Sequence, residues 1–254
     1  MRTPFILFAH VAVAVVAAMA PEVLAQAGPP LLTDDPETPG NRHWEINLAW
    51  TVSQRENARL FAIPLLDINY GLGDRVQLKV QAPWLLLKDR KSQNSASGIG
   101  STNLGLKWRF VDKGRHGLAM SVYPQLEIRT SASSARRGLI EPGSELLLPI
   151  EMSHPLGPVT IDAEIGYQFV QHEKDEFIYG FAVAREINNR LELLGEFHGE
   201  AKRDFSAHKP IFNIGGRFKL SKHYTLLFSS GRTLRRASSL QPTLTAYAGL
   251  QFNF

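Results

Sequence analysis

The chain has 254 residues, of which 44% are hydrophobic and 20% charged, and it contains no cysteine. This composition is ordinary for a folded protein, and it excludes disulfide frameworks, cysteine-ligated metal centres and thiol nucleophiles. The formal net charge of +4 is small, so the position of the basic residues decides what the charge means. One large all-β domain or two ordinary domains fit this length.

The N-terminus predicts a secretory signal peptide over residues 1–27. Arg2 gives a basic start, an apolar run follows, and Ala25-Gln26-Ala27 is a small-x-small cleavage site. The apolar run of about 16 residues is shorter than the roughly 20 that a membrane-spanning helix needs, so we expect cleavage before Gly28. No later apolar run is longer, so the exported chain is periplasmic, secreted or inserted as a barrel.

Residues 28–41 predict a proline-rich periplasmic strap. This segment holds four prolines and shows no hydrophobic periodicity, which is typical of an extended lead-in with no core of its own. Two positions stay open for the strap, because it can hang in the periplasm or plug the lumen of a barrel.

From His43 onward the chain alternates between apolar and polar residues, which indicates β-strands. In the first strand Trp44, Ile46 and Leu48 alternate with Glu45. The pattern recurs to the C-terminus and predicts about twelve strands over residues 42–254.

Alternation alone fits a β-sandwich as well as a barrel. The polar face carries charges on nearly every strand, and strands of about ten residues suit a tilted bilayer crossing. Tight turns are predicted at 71–74, 112–117, 154–158, 188–189 and 221–223. Longer polar connections are predicted between them, at 53–59, 88–101, 130–144, 172–176, 201–209 and 232–242. We therefore expect an all-β fold, a transmembrane antiparallel up-and-down β-barrel with short periplasmic turns and longer extracellular loops.

The last eight residues resemble the C-terminal assembly signal of bacterial outer-membrane barrels. The matching residues are Tyr247, Gly249, Phe252 and the terminal Phe254. The resemblance implies insertion by the barrel-assembly machinery and, after signal-peptide cleavage, location in the outer membrane of a Gram-negative cell.

Two further segments carry a narrower resemblance. The first is Leu32-Thr33-Asp34-Asp35-Pro36 with Gly40 and the Trp44-Glu45-Ile46-Asn47 strand, and the second runs from Gly98 to Phe110. Both are similar to a family of proteobacterial outer-membrane proteins named as putative transporters of the meta pathway of phenol degradation. This resemblance implies passage of small aromatic or apolar compounds. That family usually has Asp where this chain has Ser101, so any role of that Asp is not carried over.

The motifs of soluble enzymes are missing from the sequence. The eight histidines show no metal-ligand spacing, and Gly98-Ile99-Gly100 has no third glycine and no following helix. A Gly-x-Ser-x-Gly nucleophile elbow is also absent. We therefore predict no enzymatic activity, no cofactor and no metal, and read the two glycines as flexible loop residues.

Charged residues that alternate with lipid-type residues are expected to point into the lumen. The predicted lumen and selectivity residues are Glu45, Lys79, Lys107, Arg109, Glu127, Asp162, Glu164, Glu192, Glu196, Glu200 and Arg217. The glutamates at 192, 196 and 200 form an acidic stripe, and the basic residues at 79, 107 and 109 form a basic one. Such stripes favour a porin-like water path for small-molecule solutes, and the alternative is a salt-bridged filler without transport.

The remaining positive charge falls in the predicted outer loops. Its carriers are Lys88, Arg90, Lys91, Arg136, Arg137, Lys202, Arg203, Arg232, Arg235 and Arg236. They are placed to contact lipopolysaccharide phosphates at the membrane lipid surface, or serve only loop solubility. Nucleic acid is not an expected partner, because the basic residues are spread over separate loops without an aromatic stacking platform.

The predicted function is a channel for passive uptake of small solutes. Two alternatives stay open. One is an integral outer-membrane lipid-modifying enzyme, which needs a serine and a histidine paired on the outer wall. The other is a structural barrel with a salt-bridged, closed lumen.

Overall fold

The computed structural model describes residues 28–92, 94–114, 116–141, 143–234 and 242–254. The predicted signal peptide lies outside the described residues. In the described part, no helix is long and apolar enough to cross a membrane. The strands are β1 (Trp44–Gln54), β2 (Ala58–Gly71), β3 (Val76–Asp89), β4 (Ser95–Ile99), β5 (Thr102–Val111), β6 (Ala119–Val122), β7 (Gln125–Ile128), β8 (Glu145–Leu156), β9 (Val159–Val170), β10 (Glu176–Asn188), β11 (Leu191–Lys202), β12 (His208–Lys219), β13 (Tyr224–Thr233) and β14 (Leu244–Asn253). A short helix, α1 (Ala132–Arg136), lies between β7 and β8.

The fourteen strand segments form twelve barrel strands in one closed antiparallel sheet. Segments β4 and β5 both pair with β3, so together they make one strand that is interrupted at Gly100-Ser101. Segments β6 and β7 both pair with β5 and β8, and they make one strand interrupted at Tyr123-Pro124. Pairing of β1 with β14 closes the sheet, which removes exposed edges and confirms the predicted barrel.

Apolar residues cover the outside of the barrel. On β5, Leu106 is 48% exposed while the next side chain, Lys107, is 1% exposed. On β3, Trp84 is 51% exposed while Leu85 is 7% exposed. Because neighbouring residues of a strand face opposite sides, the exposed set is the lipid-facing surface and the buried set lines the lumen.

The connections at one end of the barrel are mostly longer than those at the other, as predicted, but the connection 55–57 at the long-loop end is shorter than the connection 112–118 at the other end. The turn between β8 and β9 spans only 157–158, whereas the loop between β7 and β8 spans 129–144. By the rule for transmembrane barrels, the short turns are periplasmic and the longer loops extracellular. The predicted loop 88–101 is wrong over half of its length, because β3 continues to Asp89 and residues 95–99 pair with it as β4.

The strap, residues 28–41, lies inside the barrel rather than below it. It enters beside the periplasmic turn between β2 and β3, where the Asn41 amide donates to Asp74 Oδ1 at 3.3 Å and the Arg42 amide to the Gly71 carbonyl at 2.8 Å. Further in, a tight turn forms, in which the Gly28 amide donates to the Thr33 carbonyl at 2.8 Å. We call residues 28–37 the plug.

Candidate functional site

One wall of the lumen holds the plug through backbone amides. Glu196 on β11 accepts from the Leu32 amide at 2.9 Å and from the Thr33 amide at 2.8 Å. Glu164 on β9 accepts from the Asp34 amide at 3.2 Å. Two glutamates of the barrel therefore satisfy three successive amides that an isolated turn would leave to water.

The opposite wall holds the plug through a lysine. The Nζ of Lys107 on β5 lies 2.9 Å from Asp34 Oδ1 and 3.4 Å from Glu151 Oε2, and it also donates to the Asp35 carbonyl. The same ammonium lies 4.5 Å from the ring centroid of Tyr123, a cation–π distance. This fully buried cation thus bridges the plug and the barrel.

A second ion-pair cluster fixes the plug near the periplasmic opening. Glu37 Oε2 lies 2.8 Å from Arg109 Nη1, and Glu37 Oε1 lies 2.8 Å from Lys113 Nζ. Arg109 also donates to the Asp74 carbonyl at 2.8 Å, in the turn where the strap enters. The cluster ties the end of the plug to the rim of the barrel.

Arg217 on β12 binds the start of the plug. Its guanidinium donates to the Pro29 carbonyl at 2.9 Å and the Gly28 carbonyl at 3.3 Å, and its Nη1 lies 3.0 Å from Glu192 Oε2. On β13, the Ser229 hydroxyl donates to the Pro30 carbonyl at 2.7 Å. The plug therefore donates hydrogen bonds from its amides to acidic side chains of the barrel, and its carbonyls and carboxylates accept from basic ones.

The two aspartates of the plug differ in pKa. Burial raises the pKa of Asp34, but the charge of Lys107 and its hydrogen bond outweigh that effect, so the pKa lies below its ordinary value. Burial raises the pKa of Asp35 well above its ordinary value against the opposing charge of Lys107, and nearby carboxylates including Asp162 raise it further. Asp34 is therefore the charged partner of the lysine.

Gly180 on β10 makes room for the plug. A Cβ built at this position lies 2.9 Å from Cγ2 of Thr33 and still nearer to its Oγ1. The plug therefore packs directly on the backbone of β10, and any side chain at position 180 displaces it.

The plug separates two cavities in the lumen. On the extracellular side lies the outer cavity, of about 220 Å³, which has an apolar part formed by Leu32, Leu147 and Ile178 and a polar part formed by Gln125, Gln168, Glu164, His198 and Glu200. On the periplasmic side lies the inner cavity, of about 40 Å³. Its lining is almost wholly polar and includes Asp34, Glu45, Asp67 and Tyr123.

The extracellular loop 129–144 folds inward against the lumen wall. Leu139 packs on Ala62 of β2 and Leu85 of β3, two residues on the luminal face. A Cβ at Gly98 lies 2.8 Å from Ser134 Oγ and Arg137 Nη2, so this glycine allows the loop to approach β4. The interpretation of Gly98 as a flexible loop residue is wrong, because it lies in a strand against a packed loop.

All eleven predicted lumen residues lie on the inward face of their strands, although their roles differ. Lys107, Arg109, Glu164, Glu196 and Arg217 contact the plug directly. Glu192 contacts it through its ion pair with Arg217. Three others contact barrel groups or line a cavity, namely Glu45, Lys79 and Glu200. Asp162 is buried opposite Ser153 of β8. Glu127 of β7 lies opposite Glu145 of β8 in the strand register. Their part in ion selectivity stays a prediction.

The C-terminal residues of the predicted assembly signal lie where the barrel closes. Tyr247 and Gly249 lie opposite Thr51 and Ala49, which are on the luminal face of β1. Phe252 and Phe254 stack with centroids 6.4 Å apart at the periplasmic rim. Recognition by the barrel-assembly machinery stays a prediction.

The basic residues predicted for the outer loops lie near the extracellular rim where they are described. Lys202 forms ion pairs with Glu173 and Glu176, and Arg137 donates to the Ser97 carbonyl at 2.5 Å. Arg235 and Arg236 lie outside the described residues. Contact with lipopolysaccharide stays a prediction.

The acidic side chains of the plug were missing from the predicted site. Asp34, Asp35 and Glu37 stand within four residues of sequence and meet the basic residues of β5. Because their charge is opposite to that of the basic stripe, the acidic residues of the strap could have been predicted to lie against that stripe in the lumen.

A metal site and a catalytic serine–histidine pair find no support in the described residues. There, no group of three or more His, Cys, Asp or Glu is arranged to hold a metal ion. The described histidine rings form side-chain hydrogen bonds with Tyr179 and with the Asn253 carbonyl, and none with a serine hydroxyl.

Comparisons with known proteins agree with this architecture. Residues 63–252 match the family model described as Putative MetA-pathway of phenol degradation. A search of curated proteins found no match. Among solved structures, the chain is similar to the COG4313 outer membrane channel from Pseudomonas putida F1, with 12% identity, a TM-score of 0.74 and coverage of 87% of this chain and 98% of that one. It is also similar to the KdgM porin, with 9% identity, a TM-score of 0.58 and coverage of 82% and 99%. These likenesses concern the fold.

Proposed function

This chain belongs to the family described as Putative MetA-pathway of phenol degradation, and we propose that it is an outer-membrane channel for passive uptake of small solutes, closed in the resting state by its own N-terminal plug. The single observation that carries the proposal is the pair of cavities on either side of residues 28–37. A barrel with a purely structural role does not need cavities on either side of its plug. The channels and porins that share the fold support the same role.

The outer cavity suggests which solutes enter. Its volume of about 220 Å³ exceeds the roughly 150 Å³ that suffices for benzene. Its lining combines apolar Leu147 and Ile178 with polar Gln168 and Glu200. We propose that the solutes are single-ring or similarly small compounds with an apolar body and at least one hydrogen-bonding group.

Passage requires that the plug moves. The inner cavity of about 40 Å³ holds a water or two but no organic solute while residues 28–37 are seated. Hydrogen bonds and ion pairs hold the plug at many points, and its described apolar cluster is the packing of Leu31 on Ala182, Ala184 and Leu194. Polar contacts can be exchanged for water, so the plug can leave without exposing a large apolar surface.

Conductance in planar bilayers tests the proposal. The mature chain is compared with a variant that begins at Arg42 and so lacks the strap. We expect a small or intermittent conductance in the mature protein and a conductance several-fold larger and steady in the shortened one. A matched control keeps the strap and replaces Asp204, which pairs with Lys174 in an extracellular loop, by asparagine.

Selectivity then identifies the path. In the shortened variant, Glu192, Glu196 and Glu200 are replaced together by glutamine. We expect cation preference to fall, most strongly at low salt where screening is weak. Absence of conductance in every variant refutes the channel and favours the closed structural barrel.

A further inference from the structure

Gly28, the residue that follows the predicted cleavage site, is buried at the centre of the lumen. Its nitrogen lies 2.8 Å from the Thr33 carbonyl oxygen, and its carbonyl accepts from Arg217 at 3.3 Å. Asp34 lies close by, because its Oδ1 is 3.2 Å from the position that a Cβ of Gly28 would take. Gly28 therefore lies between a carboxylate and a guanidinium inside the lumen.

Gly28 shares the inner cavity with five acidic side chains, those of Asp34, Asp35, Glu37, Glu45 and Asp67. Asp34 is paired with Lys107, and Glu37 is paired with Arg109 and Lys113.

Three of these carboxylates have no ion pair in the described chain, and two of the three, Glu45 and Asp67, belong to the barrel wall. Glu45 and Asp67 share the amide of Asn47, whose Nδ2 lies 3.2 Å from an oxygen of each. Among the described residues, no lysine or arginine nitrogen lies within 4.0 Å of either one. The other oxygen of Asp67, whose side chain is 2% exposed, is buried without a hydrogen-bond partner. A buried carboxylate of this kind points to a missing cationic donor.

We propose that cleavage of the Ala27–Gly28 bond supplies this donor, so that the α-ammonium group of Gly28 binds in the inner cavity and locks the plug. In the hydrolysis, the oxygen of water bonds to the Ala27 carbonyl carbon and the carbon–nitrogen bond breaks. Both protons of that water pass to the Gly28 nitrogen, which leaves a carboxylate on Ala27 and an ammonium group on Gly28. An amide has a single N–H, which here is used by Thr33. The ammonium has three, so two are left for Asp34 and the cavity carboxylates.

Processing then does more than release the chain for export. An α-amino group has an ordinary pKa of about 7.7–8.0, and nearby carboxylates favour its charged form. A Gly28 nitrogen that is held in an amide lacks this charge, so we expect the plug to be held less firmly than it is with the free amine.

The reporter for the test is a cysteine on the plug, because the chain has no other cysteine. Thr33 is fully buried, so in Thr33→Cys a water-soluble maleimide reacts only when the plug leaves its seat. The mature protein with a free Gly28 amine is compared with the same protein acetylated at that amine before refolding. We expect labelling to be about tenfold faster after acetylation, the effect of losing one charge-assisted hydrogen bond.

A double-mutant cycle separates the proposed contact from a general effect of acetylation. In the Glu45→Gln, Asp67→Asn double variant, we expect most of this tenfold effect to disappear, so that acetylation changes the labelling rate only slightly. Heat-modifiable mobility in gels confirms that each barrel is folded. Labelling that is unaffected by acetylation, or an effect of equal size in both backgrounds, overturns the proposal. Because the readout is thiol accessibility, failure of the channel function leaves the test intact.

Discussion

Replacement of Lys107 by methionine should release the plug. The lysine is buried, and its ammonium joins Asp34 Oδ1 at 2.9 Å and the Asp35 carbonyl. A hydrogen bond that involves a charged group contributes about 1.5–3 kcal/mol, so the loss of two at the lower value weakens the seated plug by about 3 kcal/mol. Since about 1.4 kcal/mol corresponds to a tenfold change, the open population should rise by somewhat more than a hundredfold.

The assay is maleimide labelling of Thr33→Cys in lipid vesicles. If opening is fast relative to labelling, the rate follows the open population, so Lys107→Met should raise it by about two orders of magnitude. The matched control is Lys174→Met, which removes an exposed loop ion pair with Asp204. Exposed pairs contribute about 0–1 kcal/mol and this one does not touch the plug, so the control should label like the parent.

One result would refute this account of the plug. If Lys107→Met is folded by heat-modifiable mobility and position 33 still labels at the parental rate, the bonds of the lysine do not hold residues 28–37 in place. Glu151, which also lies near the ammonium, is on the barrel wall and cannot explain retention of the plug.

Three further predictions concern the wall, the C-terminus and the plug seat. Leu106→Arg places a charge on the lipid face and should lower the free energy of unfolding by about 2–4 kcal/mol near the bilayer midplane, measured by urea titration in lipid with Leu106→Phe as control. Deletion of Phe254 removes the stacked ring at the periplasmic rim and should reduce the yield of heat-modifiable barrel in cells, whereas full assembly would contradict the signal. Gly180→Val should speed labelling of the cysteine at position 33, because its side chain overlaps Thr33, while Gly195→Ala, whose Cβ meets only one backbone oxygen at 4.0 Å, should not.

The barrel was predictable from sequence because membrane strands obey a strict period of two. Leu106 and Lys107 are adjacent in sequence and lie on opposite sides of the wall, so the alternation within a strand indicates which of its faces meets lipid. The strand at 95–99 was missed because its residues, Ser-Ala-Ser-Gly-Ile, are small and show no apolar alternation. Pairing with β3, rather than its own composition, makes it a strand.

The plug could be predicted only in part, because backbone groups make many of its contacts. Glu196 binds the amides of Leu32 and Thr33, and Arg217 binds the carbonyl of Pro29. Every residue has a backbone carbonyl and almost every one an amide, so no side-chain pattern marks these contacts. The acidic Asp34 and Glu37 were visible, but sequence alone does not tell a periplasmic strap from a luminal one.

The sequence of β3 carries a signal for the inward loop. On β3 the luminal phase carries polar Gln77 and Lys79 near the periplasm and then changes to Leu85 and Leu87 near the outside. An apolar side chain on the luminal face of a porin-like barrel would be exposed to water unless another apolar group packs on it. Leu139 of the following loop provides that cover.

The charge stripes of the lumen therefore have two uses that compete with each other. In an open barrel, opposed acidic and basic walls orient dipolar solutes across the water path. Here the acidic wall accepts hydrogen bonds from the amides of the plug, and Lys107 and Arg109 of the basic wall pair with its carboxylates, so residues 28–37 already occupy these groups. A solute that enters the outer cavity meets Glu164 and Glu200 beside the plug, and each hydrogen bond that it makes to Glu164 competes with the amide of Asp34. Solutes with hydrogen-bond donors should thus promote their own passage, whereas purely apolar compounds have nothing to exchange with the plug.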